Sequence, residues 1–280
     1  MPKQGTCQRV FILGMDGAGN FVRDTDTPHM HEFLKRGILT YDAQAVLPTI
    51  SAECWGSMLH GVLPEKHGLN NDRAELEAYP EDSPYPSVFR LARERWSDAK
   101  LAAFTSWSPI NRGIIEDGIG VHKVCLPDEE LAASIETYLE SNTDVKLLFM
   151  QLDEPDASGH DSGYGSDSPL YLQAITRSDQ LIGKVLDKIE QLGLMEDSLI
   201  MIVTDHGGGG AARYSHGSDH PQDKTVFWGC AGPGIEPGTP ISNLSITDAA
   251  AIVACALDLE APEHWDAVLP EALFGQSLKE

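Results

Sequence analysis

Three apolar runs in this 280-residue chain each lead into an aspartate: Val10–Gly14 before Asp16, Leu147–Leu152 before Asp156, and Leu199–Thr204 before Asp205. Two of them bring histidine as well. His160 lies four residues after Asp156, His206 directly follows Asp205, and the later pair His216-Gly217 offers another imidazole. Carboxylate oxygens and imidazole nitrogens suit a borderline divalent cation, zinc first and manganese as the alternative. The number of such ligands is enough for two ions. The chemistry this predicts is that of a catalytic metal site.

These side chains can act together only if the fold brings them to one place. Apolar, β-branched runs bounded by Asp and Gly read as buried parallel strands. In an open α/β sheet, ligands bind at the carboxyl ends of such strands. After the strand ending at Asp16 come a short helix over 28–36 and a helix over Ser51–His60, entered through Pro48-Thr49. The polar stretch Asn70–Pro86 reads as loop, Ser87–Arg95 as helix and Lys100–Thr105 as strand. Asp128–Ser141 is an amphipathic helix whose acidic start suits the helix dipole. The strand into Asp156 precedes the longest helix, Pro169–Leu192, where Leu172, Ile175, Leu181, Val185 and Ile189 recur near a helical period. The strand into Asp205, a Gly-rich loop, a strand at Thr225–Ala231 and a helix at Thr247–Leu257 complete the chain. This alternation predicts an α/β fold, a mostly parallel central sheet with helices on both faces. It reads as a single catalytic domain over 1–280, with small cap elements within 61–145.

Hydrophobic content of 41% and charged content of 22% are those of a soluble globular protein, but the formal net charge is −23. Such a field repels polyanions, so neither a nucleic-acid polymer nor an anionic membrane is the expected partner. The N-terminal residues lack the apolar run of a signal peptide, and no stretch has the length of a transmembrane helix. The five cysteines are scattered, odd in number and without a C-x-x-C pair. Reduced thiols in the cytoplasm are the expectation.

The segment Pro48-Thr49-Ile50-Ser51-Ala52-Glu53-Cys54-Trp55-Gly56-Ser57 sets small hydroxyls at a helix start. Ser51 reads either as a simple N-cap or as a nucleophile held where helix N–H groups and a metal meet. Thr49 is the competing hydroxyl.

At this point the chain resembles the alkaline phosphatase superfamily, and within it the type I phosphodiesterase/nucleotide pyrophosphatase branch. The matching motifs are Met15-Asp16-Gly17, the run from Pro48-Thr49-Ile50-Ser51 into Gly61-Val62-Leu63-Pro64-Glu65-Lys66-His67-Gly68, Asp153-Glu154-Pro155-Asp156-Ala157-Ser158-Gly159-His160, Thr204-Asp205-His206-Gly207 and His216-Gly217. Each is weak alone; in family order and after expected strands they are specific. The resemblance implies that Asp156, His160 and His216 bind one zinc. It implies that Asp16, Asp205 and His206 bind the other, completed by Ser51 as nucleophile. His216 is preferred over its neighbour His220. His67 matches a non-ligand position and reads as structural, while His29, His31, His60, His122 and His264 read as surface or packing residues.

Two cations would contribute about +4 against three carboxylates, leaving a pocket able to take a small-molecule phosphate ester. The implied reaction is hydrolysis of a phosphodiester through a phosphoseryl intermediate. The resemblance also implies an Asn three residues after the nucleophile, donating to a non-bridging oxygen. Cys54, a weak donor, stands there instead. Cys54 and Trp55 are the expected substrate-binding residues, with Trp107 as further apolar surface. Three other readings stay open. A phosphomonoesterase would need extra cationic donors such as Arg73 or Arg112. A sulfatase would need a C/S-x-P-x-R context that Ser51-Ala52-Glu53-Cys54-Trp55 lacks, and a metal-binding protein without turnover has no need of Ser51. Oligomeric state is not legible.

Overall fold

The structure is a computed structural model that describes residues 7–274. Strand β1 (Arg9–Met15) is buried throughout and leads past a short turn of helix to α1 (Pro28–Leu34), then to β2 (Ile38–Gln44). Helices α2 (Ser51–His60), α3 (Pro64–His67), α4 (Asn71–Leu76) and α5 (Val88–Arg95) follow. Next come β3 (Leu101–Thr105), β4 (His122–Cys125), α6 (Asp128–Ser141), β5 (Leu147–Leu152), α7 (Glu154–Ser162) and α8 (Pro169–Gln191). The last elements are β6 (Ser198–Thr204), α9 (Pro221–Lys224), β7 (Thr225–Ala231) and α10 (Asp248–Leu257).

The strands form one sheet in the order β2-β7-β6-β1-β5-β3-β4. β1 lies between β5 and β6 and pairs in parallel with both, Gly14 opposite Gln151 on one side and Val203 on the other. Period-two alternation splits the strand residues between two apolar clusters. Val10 and Ile12 pack on one face with α2, α5 and α10, whereas Phe11, Leu13 and Met15 pack on the other with α1, α6 and α8. Burial on both faces is why these strands are near-continuous apolar runs. The α/β class and the mostly parallel sheet hold.

Three local features differ from the sequence expectation. The strand at Thr225–Ala231 runs antiparallel to β6, and β2 pairs antiparallel with it. β2 and β4 are edge strands whose residues are largely half-buried or exposed, so they carry little apolar signal. Within the expected loop Asn70–Pro86, residues Asn71–Leu76 form α4. The Asn70 side chain caps it by accepting from Arg73 N at 2.9 Å, and Ala74 is buried beneath it. Among the described residues, no helix is long and apolar enough to cross a membrane.

Candidate functional site

Asp16 immediately follows β1 and Asp205 immediately follows β6; Asp156 lies in the first turn of α7, just beyond β5. Three adjacent strands therefore deliver three carboxylates to one end of the sheet, as α/β topology requires. The approach is so close that Gly17 (φ +65°) has no room for a side chain, since a Cβ would lie 2.5 Å from Asp156 Oδ1.

The side chains gather in two groups. In the inner group, His206 Nε2 lies 3.5 Å from Asp16 Oδ1, 3.4 Å from Asp205 Oδ2 and 3.2 Å from Ser51 Oγ. Ser51 Oγ is 3.4 Å from Asp16 Oδ1. In the outer group, His160 Nε2 is 3.3 Å from Asp156 Oδ2 and 3.2 Å from His216 Nε2, which is 3.7 Å from Asp156 Oδ1. The His206 and His216 rings stack with centroids 3.9 Å apart, so the groups adjoin. Inner carboxylates and imidazole are buried, while the His160 side chain is 44% exposed. The outer side is the one open to solvent.

Every imidazole is turned the same way. His206 Nδ1 donates to Gly207 O at 2.8 Å, His216 Nδ1 to Thr49 O at 2.7 Å, and His160 Nδ1 to Tyr214 O at 2.9 Å. A neutral ring held this way presents Nε2 as its lone pair. His160 is the exception, its Nε2 donating to Asp156, which raises His160 to about 9, and all three Nε2 atoms are directed at carboxylates. Asp205 Oδ2 is buried without a hydrogen-bond partner, although its Oδ1 accepts from Gly17 N at 3.1 Å. No lysine or arginine forms an ion pair with Asp16, Asp156 or Asp205 among the described residues. Burial, reinforced by repulsion from Asp156, pushes Asp16 up to about 6, and burial followed by repulsion from Asp16 raises Asp205 well above the usual range. Burial also works against ionised Asp156, but the hydrogen bond from His160 and the neighbouring imidazoles hold it below the ordinary carboxylate range. Buried carboxylates with raised proton affinity and imidazole nitrogens aimed at them are satisfied by protons or by a cation. Ligand atoms about 2.1 Å from a tetrahedral ion stand roughly 3.4 Å apart, close to the edges found in both groups. The residues fit divalent cations.

Among the hydroxyls, Ser51 faces the inner group, whereas Thr49 does not. Thr49 Oγ1 donates to Ser218 O at 3.0 Å and accepts from Gly217 N at 2.9 Å, which pins the loop carrying His216. His220 stands apart from the ligand groups, its Nδ1 accepting from Gln222 N at the start of α9. His67 is buried against Ser57 and Leu69, a packing role.

Two expected substrate-binding residues are corrected. Cys54 is fully buried, with Sγ directed at Val46 O and Pro48 O, and cannot reach a phosphate. Trp55 is also fully buried and sends its indole Nε1 to Asp16 Oδ2 at 2.8 Å. Trp107 is half-buried against the core. On α4, Asn71 Oδ1 accepts from Ala52 N, next to Ser51, at 3.0 Å. Its amide nitrogen has no acceptor among the described residues. The only sequence sign of Asn71 was its place shortly after Pro64-Glu65-Lys66-His67-Gly68. Other contributors went unseen as well. Tyr164 donates to Asp156 Oδ1 at 2.5 Å, and buried Asp223 accepts from Gly210 N and Ser218 N, holding both ends of the His216 loop.

The family model described as type I phosphodiesterase/nucleotide pyrophosphatase matches residues 10–268. The bis(5'-adenosyl)-triphosphatase ENPP4 of Pongo abelii is 25% identical over 216 residues, covering 71% of this chain and 47% of that protein. The chain thus spans about half the length of the curated relatives it matches. Murine ectonucleotide pyrophosphatase/phosphodiesterase 5 superposes with a TM-score of 0.74 at 15% identity, over 91% of this chain and 96% of that one. Its inactive variant, solved in complex with AMP, gives 0.73 at 14% identity over 94% and 97%. A 2-O GAG sulfatase also superposes, at 0.70 and 15% identity over 94% and 73%. At these identities the structural likenesses establish the fold alone.

Proposed function

The chain belongs to the type I phosphodiesterase/nucleotide pyrophosphatase family of the alkaline phosphatase superfamily, and on that premise we propose that it hydrolyses phosphodiesters through a phosphoseryl intermediate at a site for two zinc ions. The observation that carries this reading is the convergence of three imidazole Nε2 atoms, three carboxylates and Ser51 Oγ. Asp16, Asp205, His206 and Ser51 would hold one cation, and Asp156, His160 and His216 the other, with manganese as the alternative metal. Bound there, two cations would lower the proton affinity of the Ser51 hydroxyl and screen charge on the departing oxygen.

The chain's own residues supply the rest. Ser51 Oγ attacks phosphorus as the bond to the leaving oxygen breaks, the Ser51 proton ends on that oxygen, the alcohol departs, and the phosphoryl group, still carrying its remaining ester, is held on Ser51. Water then attacks phosphorus and frees Ser51. Ser51 sits in the first turn of α2, where the helix N-terminus favours an anion, and Asn71, locked to Ala52 N through its carbonyl oxygen, would offer its amide hydrogens to a phosphoryl oxygen. α4, which carries Asn71, serves as a cap element of the single domain.

A diester is favoured over a monoester because, among the described residues, no lysine or arginine pairs with the three site carboxylates. Arg73, near the nucleophile in sequence, spends its guanidinium on Gly68 O and Glu77. The AMP bound by murine ectonucleotide pyrophosphatase/phosphodiesterase 5 supports a nucleotide ester as one candidate substrate. The test is kcat/KM for bis-nitrophenyl phosphate against nitrophenyl phosphate, with and without chelation. The reading expects at least a tenfold diester preference, about 1.4 kcal/mol, and loss of activity on chelation. A monoester preference would move the assignment to phosphatase, and full activity after exhaustive chelation would remove the metal.

A further inference from the structure

We propose that Trp55 and Gln151 are positioning residues that hold Asp16 in its ligand orientation; this rests on reading Asp16 as a cation ligand. Asp16 Oδ2 receives two donors, Trp55 Nε1 at 2.8 Å and Gln151 Nε2 at 3.0 Å. With that oxygen saturated, Oδ1 is the atom presented to Ser51 and His206. A carboxylate free to rotate would share both oxygens between these roles.

Neither donor can turn away cheaply. Trp55 lies four residues after Ser51, on the same face of α2, so one helix supplies both the hydroxyl beside Oδ1 and the N–H on Oδ2. Its indole is wholly buried, edge-on to Phe149 with centroids 5.4 Å apart. The space it fills exists because β1 carries Gly14, where a Cβ would lie 2.5 Å from the indole Cη2. Gln151, also wholly buried, accepts at Oε1 from Ser106 N at 3.0 Å and Trp107 N at 2.9 Å. Flipping its amide would break both bonds, so Nε2 stays directed at Asp16, with Asp153 Oδ1 as a second acceptor at 3.1 Å. Asp16 is thus gripped from α2 on one side and from β5 on the other. Donors of this kind, one shell outside a metal ligand, fix its direction and its affinity for the ion.

A purely structural role, satisfying a buried carboxylate, predicts lower stability and unchanged cation affinity in the folded variant. The experiment therefore titrates chelator-stripped protein with Zn²⁺ against a chromophoric competitor, comparing the unaltered chain with Trp55→Phe and Gln151→Met. The expected result is two equivalents bound by the unaltered chain and a loss of roughly 10- to 100-fold in affinity for one equivalent in each variant, the other unchanged. Wild-type affinity for both equivalents in a folded variant would overturn the proposal. Failure of the unaltered chain to take up Zn²⁺ would instead overturn the two-cation reading, and the clamp with it. Should both variants fail to fold, the unaltered chain still decides: Zn²⁺ should shift the Trp55 indole N–H resonance in a nitrogen-15 spectrum, and an unmoved resonance sinks the idea.

Discussion

His216 donates its Nδ1 hydrogen to the carbonyl oxygen of Thr49 at 2.7 Å, so the segment that leads into Ser51 also orients the last imidazole of the outer group. The two residues are far apart in sequence, and the Thr49 hydroxyl adds contacts to Gly217 and Ser218. The segment leading into Ser51 and the outer group are therefore one mechanical unit.

From this follows a division of labour between the two hydroxyls. Ser51→Ala should lower turnover by at least about three orders of magnitude while leaving the fold and cation content near wild type. Thr49→Val should still form the phosphoenzyme, detectable by intact mass after a rapid quench, but bind the outer cation more weakly. A phosphoenzyme in Ser51→Ala, or its absence in cation-saturated Thr49→Val, would show the register to be wrong.

Asp205→Asn should reverse its effect on stability with the metal. Burial and repulsion from Asp16 raise the folded-state proton affinity of Asp205 above the ordinary value of 3.8. The sign follows directly. A raised carboxyl stabilises the fold below 3.8, and that stability drains away as pH climbs toward the folded value. In chelator near pH 8 the Asn variant should melt higher than the parent. With Zn²⁺ in excess it should melt lower, because it forfeits the stabilisation that binding confers. Thermal melts at the two conditions check the crossing; the same order in both would contradict the cation-site reading of Asp205.

Asn71 is expected to act as a donor to substrate. Asn71→Asp keeps an oxygen for Ala52 N but replaces the free amide with a second acceptor. It should lower kcat/KM for the diester at least as much as Asn71→Ala, by roughly 100-fold, without lowering the melting temperature. A mild Asp variant beside a severe Ala variant would reduce Asn71 to a brace for α2.

His67 predicts a pH dependence of stability away from the site. Its Nδ1 accepts from Leu69 N at 3.0 Å, so Nε2 carries the hydrogen toward Ser57 Oγ. Burial, aided by the neighbouring His60, lowers it from 6.5 to about 3. Between those values the unfolded chain binds a proton that the folded one refuses, so stability falls as pH falls, by at most about 1.4 kcal/mol per pH unit. Denaturant melts of His67→Gln should show a shallower decline below pH 6.5 than the parent. Parallel profiles would rule out this source.

The apolar runs leading to Asp16, Asp156 and Asp205 were legible because central strands buried on both faces must be continuously apolar, and their carboxyl ends are where an α/β sheet exposes polar groups. The His160 offset was legible too: Asp156 and His160 are four apart on α7, a spacing that meets on any helix. Edge strands β2 and β4 were not, since half-exposed residues carry no sustained pattern. The direction of Trp55 was hidden for the opposite reason. All ten residues of α2 are buried, so the helix has no polar face to mark which side meets the sheet. Only the packing of Gly14 beneath the indole turned Trp55 toward Asp16. In the same way, His216 rather than His220 joined the cluster of carboxylates and imidazoles because Thr49 and Asp223 set the path of its loop. Residue type and spacing along the chain determined which chemistry was available. Contacts between segments distant in sequence decided which side chains perform it, because a side chain's direction in a fully buried helix or a glycine-rich loop is set by its neighbours in space.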